Sequence, residues 1–397
     1  MKLKKLSTAL ILATLPATGV FAAGMDRSGQ SIAAFLQPGN YFEAGISVLD
    51  PNVSGQSTPL APGHPSQSTG DMASDYYFPS AALKLQLTDN FSFGLLYDEP
   101  FGAEAGYTTP SINFTDATGG TSAEVKTENL TFLFGFQPNE NWNFYAGPVV
   151  QTAKGNVSLR GAAYGGPTAF GSYDASMKKD TELGWIAGLA FQIPDIALKT
   201  SLTYRSEIKH ELQATETLGY GAIDPATLNP TFTPGKTAVT TPQSVNLDFQ
   251  TGIMADTVAF ANVRWVNWKD FSIRPNYFGQ VADAKGLVGA NLVDYSDDQI
   301  SANVGVGRKL TEKWAGNVSV GYDTGAGNPV TTLGPTEGYW NLGLGVQFSP
   351  AANYFIAGGV KYFWLGDATA KTAAVNNVGK FEDNDAWGYG LKIGYRF

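Results

Sequence analysis

Hydrophobic and polar residues alternate one by one along many segments of this chain. The clearest segment is the last, Ala386 to Phe397, where large apolar or aromatic residues occupy one face and glycine, lysine and arginine occupy most of the other. The large residues are Trp387, Tyr389, Leu391, Ile393, Tyr395 and Phe397. A period of two predicts a β-strand. A face this apolar opposite small or basic residues is typical of a strand with lipid on one side and the interior of a barrel on the other.

The same alternation recurs and predicts about fourteen strands. The segments are 41–49, 76–87, 91–99, 125–137, 142–152, 181–193, 196–209, 242–254, 258–268, 299–310, 314–323, 337–348, 353–364 and 386–397. Their connections alternate between short turns, such as Thr88–Asn90 and Pro138–Asn141, and long loops rich in Gly, Pro, Ser and Thr. Since short turns on one side and long loops on the other are usual in outer-membrane barrels, the sequence predicts an all-β, antiparallel transmembrane β-barrel.

The first residues resemble a secretory signal peptide. Three lysines precede the apolar stretch from Leu6 to Val20, and small residues follow at the expected cleavage site. We therefore expect residues 1–22 to be a signal peptide and the mature chain to begin at Ala23. An N-terminal anchor helix is the alternative, but the stretch is shorter than the roughly 20 apolar residues that such a helix needs. Beyond it, no run of 18 apolar residues occurs, so only a closed barrel could span a bilayer.

Composition narrows the class of function. Charged residues make up 15% of the chain, against roughly 25% in soluble domains, and cysteine is absent. A net charge of −9 argues against nucleic acid as a partner. The sequence contains no metal-ligand cluster, no Gly-x-Ser-x-Gly motif and no phosphate-binding loop, so we expect no cofactor, no metal and no catalytic residue. The two histidines, His64 and His210, leave a Ser–His hydrolase only as a remote alternative.

The interior of such a barrel needs filling. Fourteen strands enclose more space than their own side chains can occupy. The segment before the first strand, residues 23–40, could fold inside as a hatch, and its apolar Ile32, Phe35 and Leu36 favour burial. A disordered periplasmic tail is the alternative. We thus divide the chain into a signal peptide (1–22), a hatch or plug (23–40) and a transmembrane β-barrel (41–397).

The layout resembles the FadL-type outer-membrane transporters of long-chain fatty acids and other hydrophobic compounds. The resemblance rests on Ala23-Gly24, on the segments Val48–Gly55 and Leu202–Lys209, and on the closing Tyr395-Arg396-Phe397. It implies a fourteen-stranded barrel plugged by an N-terminal hatch. It also implies a hydrophobic groove between the third and fourth extracellular loops that leads to an internal pocket, and a sideways exit caused by an inward kink in an early strand. The family's hatch is usually longer and carries Asn-Pro-Ala where this chain has Gln37-Pro38-Gly39-Asn40.

Several residues are candidates for contact with a ligand. The alternation places five basic side chains inside the barrel that could bind a carboxylate: Lys199, Arg205, Lys209, Arg264 and Lys361. They could instead pair with inward-facing acidic residues, namely Glu207, Asp248 or Asp323. Apolar residues of the fourth loop could capture a ligand or pack against neighbouring loops. The candidate ligand-binding residues are Arg205, Glu207, Lys209, Arg264, Phe35, Leu218 and Phe232.

These observations predict passive uptake of long-chain fatty acids or other hydrophobic compounds through a plugged barrel in the cell outer membrane. A general diffusion porin is the main alternative. We expect a monomer in contact with a hydrophobic small molecule and with outer-membrane lipid. The terminal Phe397 resembles the signal that the barrel assembly machinery reads during biogenesis.

Overall fold

The computed structural model describes residues 25–166, 169–219 and 233–397. The predicted signal peptide and the candidate residue Phe232 lie outside these ranges. Among the described residues, no helix is long and apolar enough to cross a membrane.

Fourteen antiparallel strands form a closed barrel, as the alternation predicts. The strands are β1 Tyr41–Asn52, β2 Tyr76–Gln86, β3 Phe91–Asp98 resuming at Gly102–Gly106, β4 Ser122–Phe136, β5 Trp142–Arg160, β6 Ser172–Ile193, β7 Leu198–Arg205 resuming at Ile208–Leu218, β8 Thr233–Thr241 resuming at Ser244–Met254, β9 Thr257–Val266, β10 Gln299–Lys309, β11 Trp314–Asp323, β12 Tyr339–Ala351, β13 Tyr354–Leu365 and β14 Asp385–Arg396. Each strand pairs with its neighbours in the chain, and β14 pairs with β1 from Tyr41 opposite Arg396 to Asn52 opposite Asp385. The last pairing closes the barrel and leaves no free edge strand.

The outer face of the barrel carries a continuous apolar band. Trp387 and Leu391 on β14 are 42% and 54% exposed, Phe397 directly after it is 56% exposed, and the other strands present similar side chains. Aromatic residues cluster at the two ends of the band, as in the contacts of Trp387 with Tyr362 and of Tyr395 with Phe397. An apolar surface of this extent is stable only against lipid.

A break in β7 reverses which side chains face the interior. Up to Arg205 the buried residues of this strand have odd numbers, and from Ile208 onward they have even numbers, because Ser206 and Glu207 leave the ladder between the two halves. The expectation that Glu207 and Lys209 face the interior was therefore wrong, since both are exposed on the outer surface. A shift of one residue exchanges the two faces of a strand.

Short elements in the long connections cover one end of the barrel. Segments Gly55–Ser57, Gly379–Phe381, Ala368–Lys371 and Val330–Thr331 form a small sheet, and the helix α1 (Asn276–Ala284) lies in the connection between β9 and β10. Beneath them lies a large apolar cluster that includes Trp268 and Phe381. A second, smaller cluster surrounds Phe35.

Candidate functional site

Residues 25–40 lie inside the barrel and are held there by inward-facing side chains of the wall. Arg264 on β9 forms an ion pair with Asp26, with Nε 2.6 Å from Oδ2, and it also donates to Gln30 Oε1 at 2.9 Å and to Asn246 Oδ1 at 2.6 Å. Arg205 on β7 donates a hydrogen bond to the carbonyl of Gln30. Charge-assisted hydrogen bonds of this kind are among the strongest in proteins.

The part of this segment nearer the short-turn end is held by two lysines of the wall and by its own Phe35 ring, which packs against the wall. Lys84 Nζ donates to the Gly39 carbonyl and Lys199 Nζ donates to the Leu36 carbonyl, both at 2.8 Å. The ring of Phe35 lies directly over the backbone of Gly94, where a Cβ atom would be 2.4 Å from Cδ2 of the ring. Gly94 is therefore required for this close approach.

Two of the candidate ligand residues, Arg205 and Arg264, thus contact the N-terminal segment in this structure, and a third, Phe35, belongs to that segment. A fourth, Leu218, is buried near the loop end of β7, where it pairs with Tyr173 on β6. Glu207 and Lys209 lie on the outside, away from all four.

Below the N-terminal segment, the short-turn end of the barrel is a polar vestibule. Its volume is about 490 Å³, and the side chains that line it include Gln86, Gln137, Gln192 and Lys199. Amide and ammonium groups favour water over an apolar molecule. The vestibule is consequently suited to water and not to a hydrophobic ligand.

Above the charged contacts of Arg264, a small apolar cavity of about 30 Å³ lies against the wall. Its lining includes Met25, Phe101, Met177, Trp268 and Phe271. The aromatic rings meet edge to face, with centroids 5.5 Å apart for Phe101 and Trp268 and 5.1 Å apart for Trp268 and Phe271. We call this space the inner cavity.

The polar atoms around the inner cavity already have partners. Thr127 Oγ1 donates to the Phe101 carbonyl at 2.7 Å, and Thr241 Oγ1 donates to Gln151 Oε1 at 2.6 Å. Trp268 Nε1 donates to Gln299 Oε1 at 2.6 Å. Lys154, which also borders the cavity, is an exposed residue whose Nζ lies 3.8 Å from Glu124 Oε1. A bound molecule would therefore find mostly apolar contacts here.

The wall beside the inner cavity has a gap between β2 and β3. The two strands pair from Gln86 opposite Ser92 to Ala81 opposite Tyr97, and they meet again only at the bridge between Ala73 and Ala105. Eight residue steps on each strand separate these two points, a length of about 26 Å at 3.3 Å per residue. We call this stretch the wall gap.

At the wall gap, β3 exchanges its partner. Arg27 N donates to the Pro100 carbonyl at 2.7 Å, and Gly102 N donates to the Met25 carbonyl at 2.8 Å, so the N-terminal segment takes the place of β2. On its other side β3 stays attached to β4, because Phe101 N donates to Thr127 Oγ1 at 2.9 Å. Pro79 and Pro100 lie on the two sides of this stretch, and proline cannot donate a backbone hydrogen bond.

A second apolar cavity, of about 90 Å³, opens among the long loops. Its lining includes Tyr164, Phe170, Phe278, Leu292 and Leu333. These residues come from the third, fifth and sixth long loops, whereas the family resemblance implies a groove between the third and fourth. Residues 220–232 of the fourth loop lie outside the described ranges. We call this space the outer cavity.

Sequence reasoning missed the residues that surround the inner cavity and the wall gap. Phe101, Tyr76 and Trp268 were not among the candidates, because the alternation shows which way a side chain points and not which distant side chains it meets. One signal was available, since Glu99-Pro100 interrupts the alternation of β3 at the break.

The whole chain resembles known outer-membrane proteins. A crystal structure of a Pseudomonas aeruginosa FadL homologue superposes with a TM-score of 0.71 at 19% identity, covering 95% of this chain and 96% of that one. The Pseudomonas putida toluene transporter TodX gives 0.64 at 13% identity, with 95% and 96% covered. The Ralstonia pickettii toluene transporter TbuX gives 0.59 at 13%, with 96% of both chains covered. At such low identities, these superpositions show a shared fold and nothing more.

A direct comparison with curated protein sequences finds no match. Residues 30–397 do match the family described as outer membrane protein transport protein (OMPP1/FadL/TodX). The match covers nearly all of the barrel and most of the N-terminal segment. The chain therefore belongs to this family of outer-membrane transport proteins for hydrophobic compounds.

Proposed function

We propose that this protein takes up hydrophobic compounds, long-chain fatty acids or hydrocarbons, from the outside of the outer membrane by passive diffusion. The observation that carries the proposal is the position of the inner cavity, which lies between an apolar opening among the loops, a gap in the wall and a charged layer below. An apolar molecule loses free energy by leaving water for such a cavity, at roughly 25 cal/mol per Å² of apolar surface.

The outer cavity is suited to capture. Its aromatic and aliphatic lining opens at the long-loop end, which faces the outside in barrels of this type. Buried apolar side chains continue from there toward the inner cavity, including Phe278, Tyr173 and Leu212. A captured molecule can follow this apolar cluster inward, passing one buried carboxylate, Glu216, whose oxygens already accept hydrogen bonds from Tyr173, Tyr277 and Phe278.

The N-terminal segment is proposed to act as the plug. The buried ion pair of Asp26 with Arg264 and the hydrogen bonds of Gln30 span the barrel below the inner cavity. Moving an apolar molecule through this layer would cost the desolvation of those groups. The wall gap offers a path into lipid that avoids this cost, so we propose that the ligand leaves sideways between β2 and β3.

Of the two ligand classes, the inner cavity favours compounds without a carboxylate. Arg264 and Lys199, two of the cations that could neutralise a carboxylate, are engaged by Asp26 and by the Leu36 carbonyl, and Arg205 donates through one nitrogen to the Gln30 carbonyl. An unpaired carboxylate in an apolar cavity is costly. The toluene transporters among the similar structures make an aromatic hydrocarbon a reasonable first probe.

The test is uptake by a transport-deficient outer-membrane strain that expresses this chain. We expect radiolabelled toluene to enter faster than in the empty strain, and oleate to enter more slowly than toluene relative to each baseline. Equal rates with and without the protein for both probes would refute the proposal. Faster entry of oleate alone would overturn the preference for neutral compounds, while steady large conductance in planar bilayers would favour a porin.

A further inference from the structure

We propose that Tyr76 and Arg27 form a latch that holds the wall gap shut and ties its opening to movement of the N-terminal segment. The inference rests on the proposed function and adds to it a mechanism of control. Both residues are buried, and neither was a candidate from the sequence.

Tyr76 bridges the wall gap with its side chain. Its hydroxyl donates to the Glu104 carbonyl at 2.7 Å and accepts from Glu104 N at 2.8 Å, so one residue of β2 satisfies both backbone groups of a residue on β3. Backbone pairing is absent on this stretch, between Ala81 and Ala73. The Tyr76 hydroxyl therefore replaces the pair of backbone hydrogen bonds that joins neighbouring strands elsewhere in the barrel.

Arg27 connects this bridge to the N-terminal segment. Its guanidinium carbon lies 4.0 Å from the centroid of the Tyr76 ring, a distance at which a cation and an aromatic face attract one another. Its backbone N–H donates to the Pro100 carbonyl in the break of β3. Gly102 makes room for the guanidinium, because a Cβ atom there would lie 2.5 Å from Arg27 Cζ.

The arrangement couples two movements. If Met25 and Arg27 shift, Gly102 and Pro100 lose their hydrogen-bond partners and the Tyr76 ring loses its cation at the same time. The inner cavity borders both sides of this contact, since Met25 and Phe101 line it. A ligand that displaces Met25 would therefore loosen the latch, and the gap would open where the ligand already lies.

The latch can be tested by removing one hydroxyl. Tyr76→Phe keeps the ring beneath Arg27 but removes both hydrogen bonds to Glu104. We expect hydrocarbon uptake about fivefold faster than in the wild type, because the closed state loses interactions that the open state lacks. Tyr77→Phe is the matched control, since the side chain of Tyr77 is 62% exposed on the outer face and should leave uptake unchanged.

A cross-link tests the gap independently of the tyrosine. The chain contains no cysteine, so Ala73→Cys with Ala105→Cys places one disulfide across the bridge that ends the gap. We expect uptake to fall about tenfold on oxidation and to recover on reduction. The control pair, Ala44→Cys with Ala81→Cys, joins β1 and β2 where they are already paired and should have no effect.

The outcomes separate the latch from the proposed function. Failure of the wild-type protein to take up any hydrocarbon would refute both the proposed function and the latch. Normal wild-type uptake that is insensitive to Tyr76→Phe and to the Ala73–Ala105 cross-link would overturn the latch alone. Heat-modifiable migration on gels checks that each variant forms a barrel, and a Tyr76→Phe protein that folds but transports more slowly would also contradict the proposal.

Discussion

Arg264 connects the barrel wall to the N-terminal segment more directly than its neighbours do. It contacts Asp26, Gln30 and Asn246, and its side chain is 3% exposed. Arg264→Gln leaves the Asp26 carboxylate buried without its partner, which costs on the order of 3 kcal/mol in the anchoring of the segment. We expect larger current fluctuations in planar bilayers and faster hydrogen exchange in residues 25–30.

The matched control for this variant is Arg308→Gln, because Arg308 lies exposed on the outer face of the adjacent strand β10. The double variant Asp26→Asn with Arg264→Gln removes both buried charges and should recover part of the protection. If the single variant exchanges as slowly as the wild type, Arg264 does not anchor the segment.

Glu337, in the connection between β11 and β12, should make its loop sensitive to pH. Burial raises the pKa of this carboxyl to about 7, against the hydrogen bond that it accepts from Gly327 N at 3.0 Å. A raised carboxyl pKa means that the folded loop binds a proton more tightly than the unfolded chain, so its stability falls as pH rises from about 4.5 to about 7. Hydrogen exchange in residues 324–338, corrected for intrinsic rates, should be slower at pH 5 than at pH 8. Glu337→Gln should remove the difference, and a wild type without it would contradict this assignment.

The sequence identified some residues of the site and missed others for a physical reason. Alternation placed Arg205 and Arg264 in the interior correctly, because a two-residue period fixes the direction of a side chain once the strand is known. The same reasoning failed at Glu207 and Lys209, since the break after Arg205 shifts the period by one. The role of Tyr76 could not be predicted from the sequence, because it depends on Glu104 and Arg27, which come near Tyr76 only in the closed barrel.

At the scale of the elements, the existence of all fourteen strands followed from the alternation, but the lengths of several did not. Strand β5 continues to Arg160, although the alternation predicts its end at residue 152. Strand β6 begins at Ser172, although the alternation predicts its start at residue 181. Lipid imposes an apolar outer face only within the membrane. Above it, outward residues such as Lys154 and Lys179 are charged, so the apolar half of the pattern disappears while the strand continues.

The helix α1 depends on one carboxylate of β7. Glu216 is fully buried and accepts hydrogen bonds from Tyr277 N at 2.9 Å, Phe278 N at 2.8 Å and the Tyr173 hydroxyl at 2.8 Å. The first amides of a helix have no partner within it, and a negative charge is favourable there. Phe278 lines the outer cavity, so this contact positions part of the proposed capture site.

Glu216→Ala should therefore loosen α1 and weaken capture. We expect faster hydrogen exchange in Asn276–Ala284 and about tenfold weaker binding of a hydrocarbon probe, since three hydrogen bonds to a buried carboxylate are lost. Glu211→Ala is the control, because Glu211 lies on the same strand but outside, paired with Lys236 at 3.0 Å. Unchanged binding in the Glu216 variant would show that α1 is not part of the capture site.

Across the whole molecule, polarity changes along the axis of the barrel in three layers. The loop end and the inner cavity are apolar, the contacts around Arg264 and Arg205 are charged, and the vestibule at the short-turn end is lined by amides. The amino-acid composition could not reveal these layers, because each layer combines side chains from strands that are distant in sequence, and the charged layer also includes side chains of the N-terminal segment. Their order allows an apolar molecule to enter from the loops and denies it a direct path to the vestibule.

Deletion of residues 25–36 should convert this layered barrel into a conducting one. The deletion removes Asp26, Gln30 and Phe35 while leaving β1 to β14, whose pairing involves only one another over most of their length. Water and ions from the vestibule could then reach the space that the segment fills, and we expect single-channel conductance in planar bilayers to rise several-fold. Heat-modifiable migration would confirm that the shortened chain still forms a barrel. A folded deletion variant with wild-type conductance would show that the segment does not seal the pore, because only the apolar cluster beneath the loops would remain to block ions.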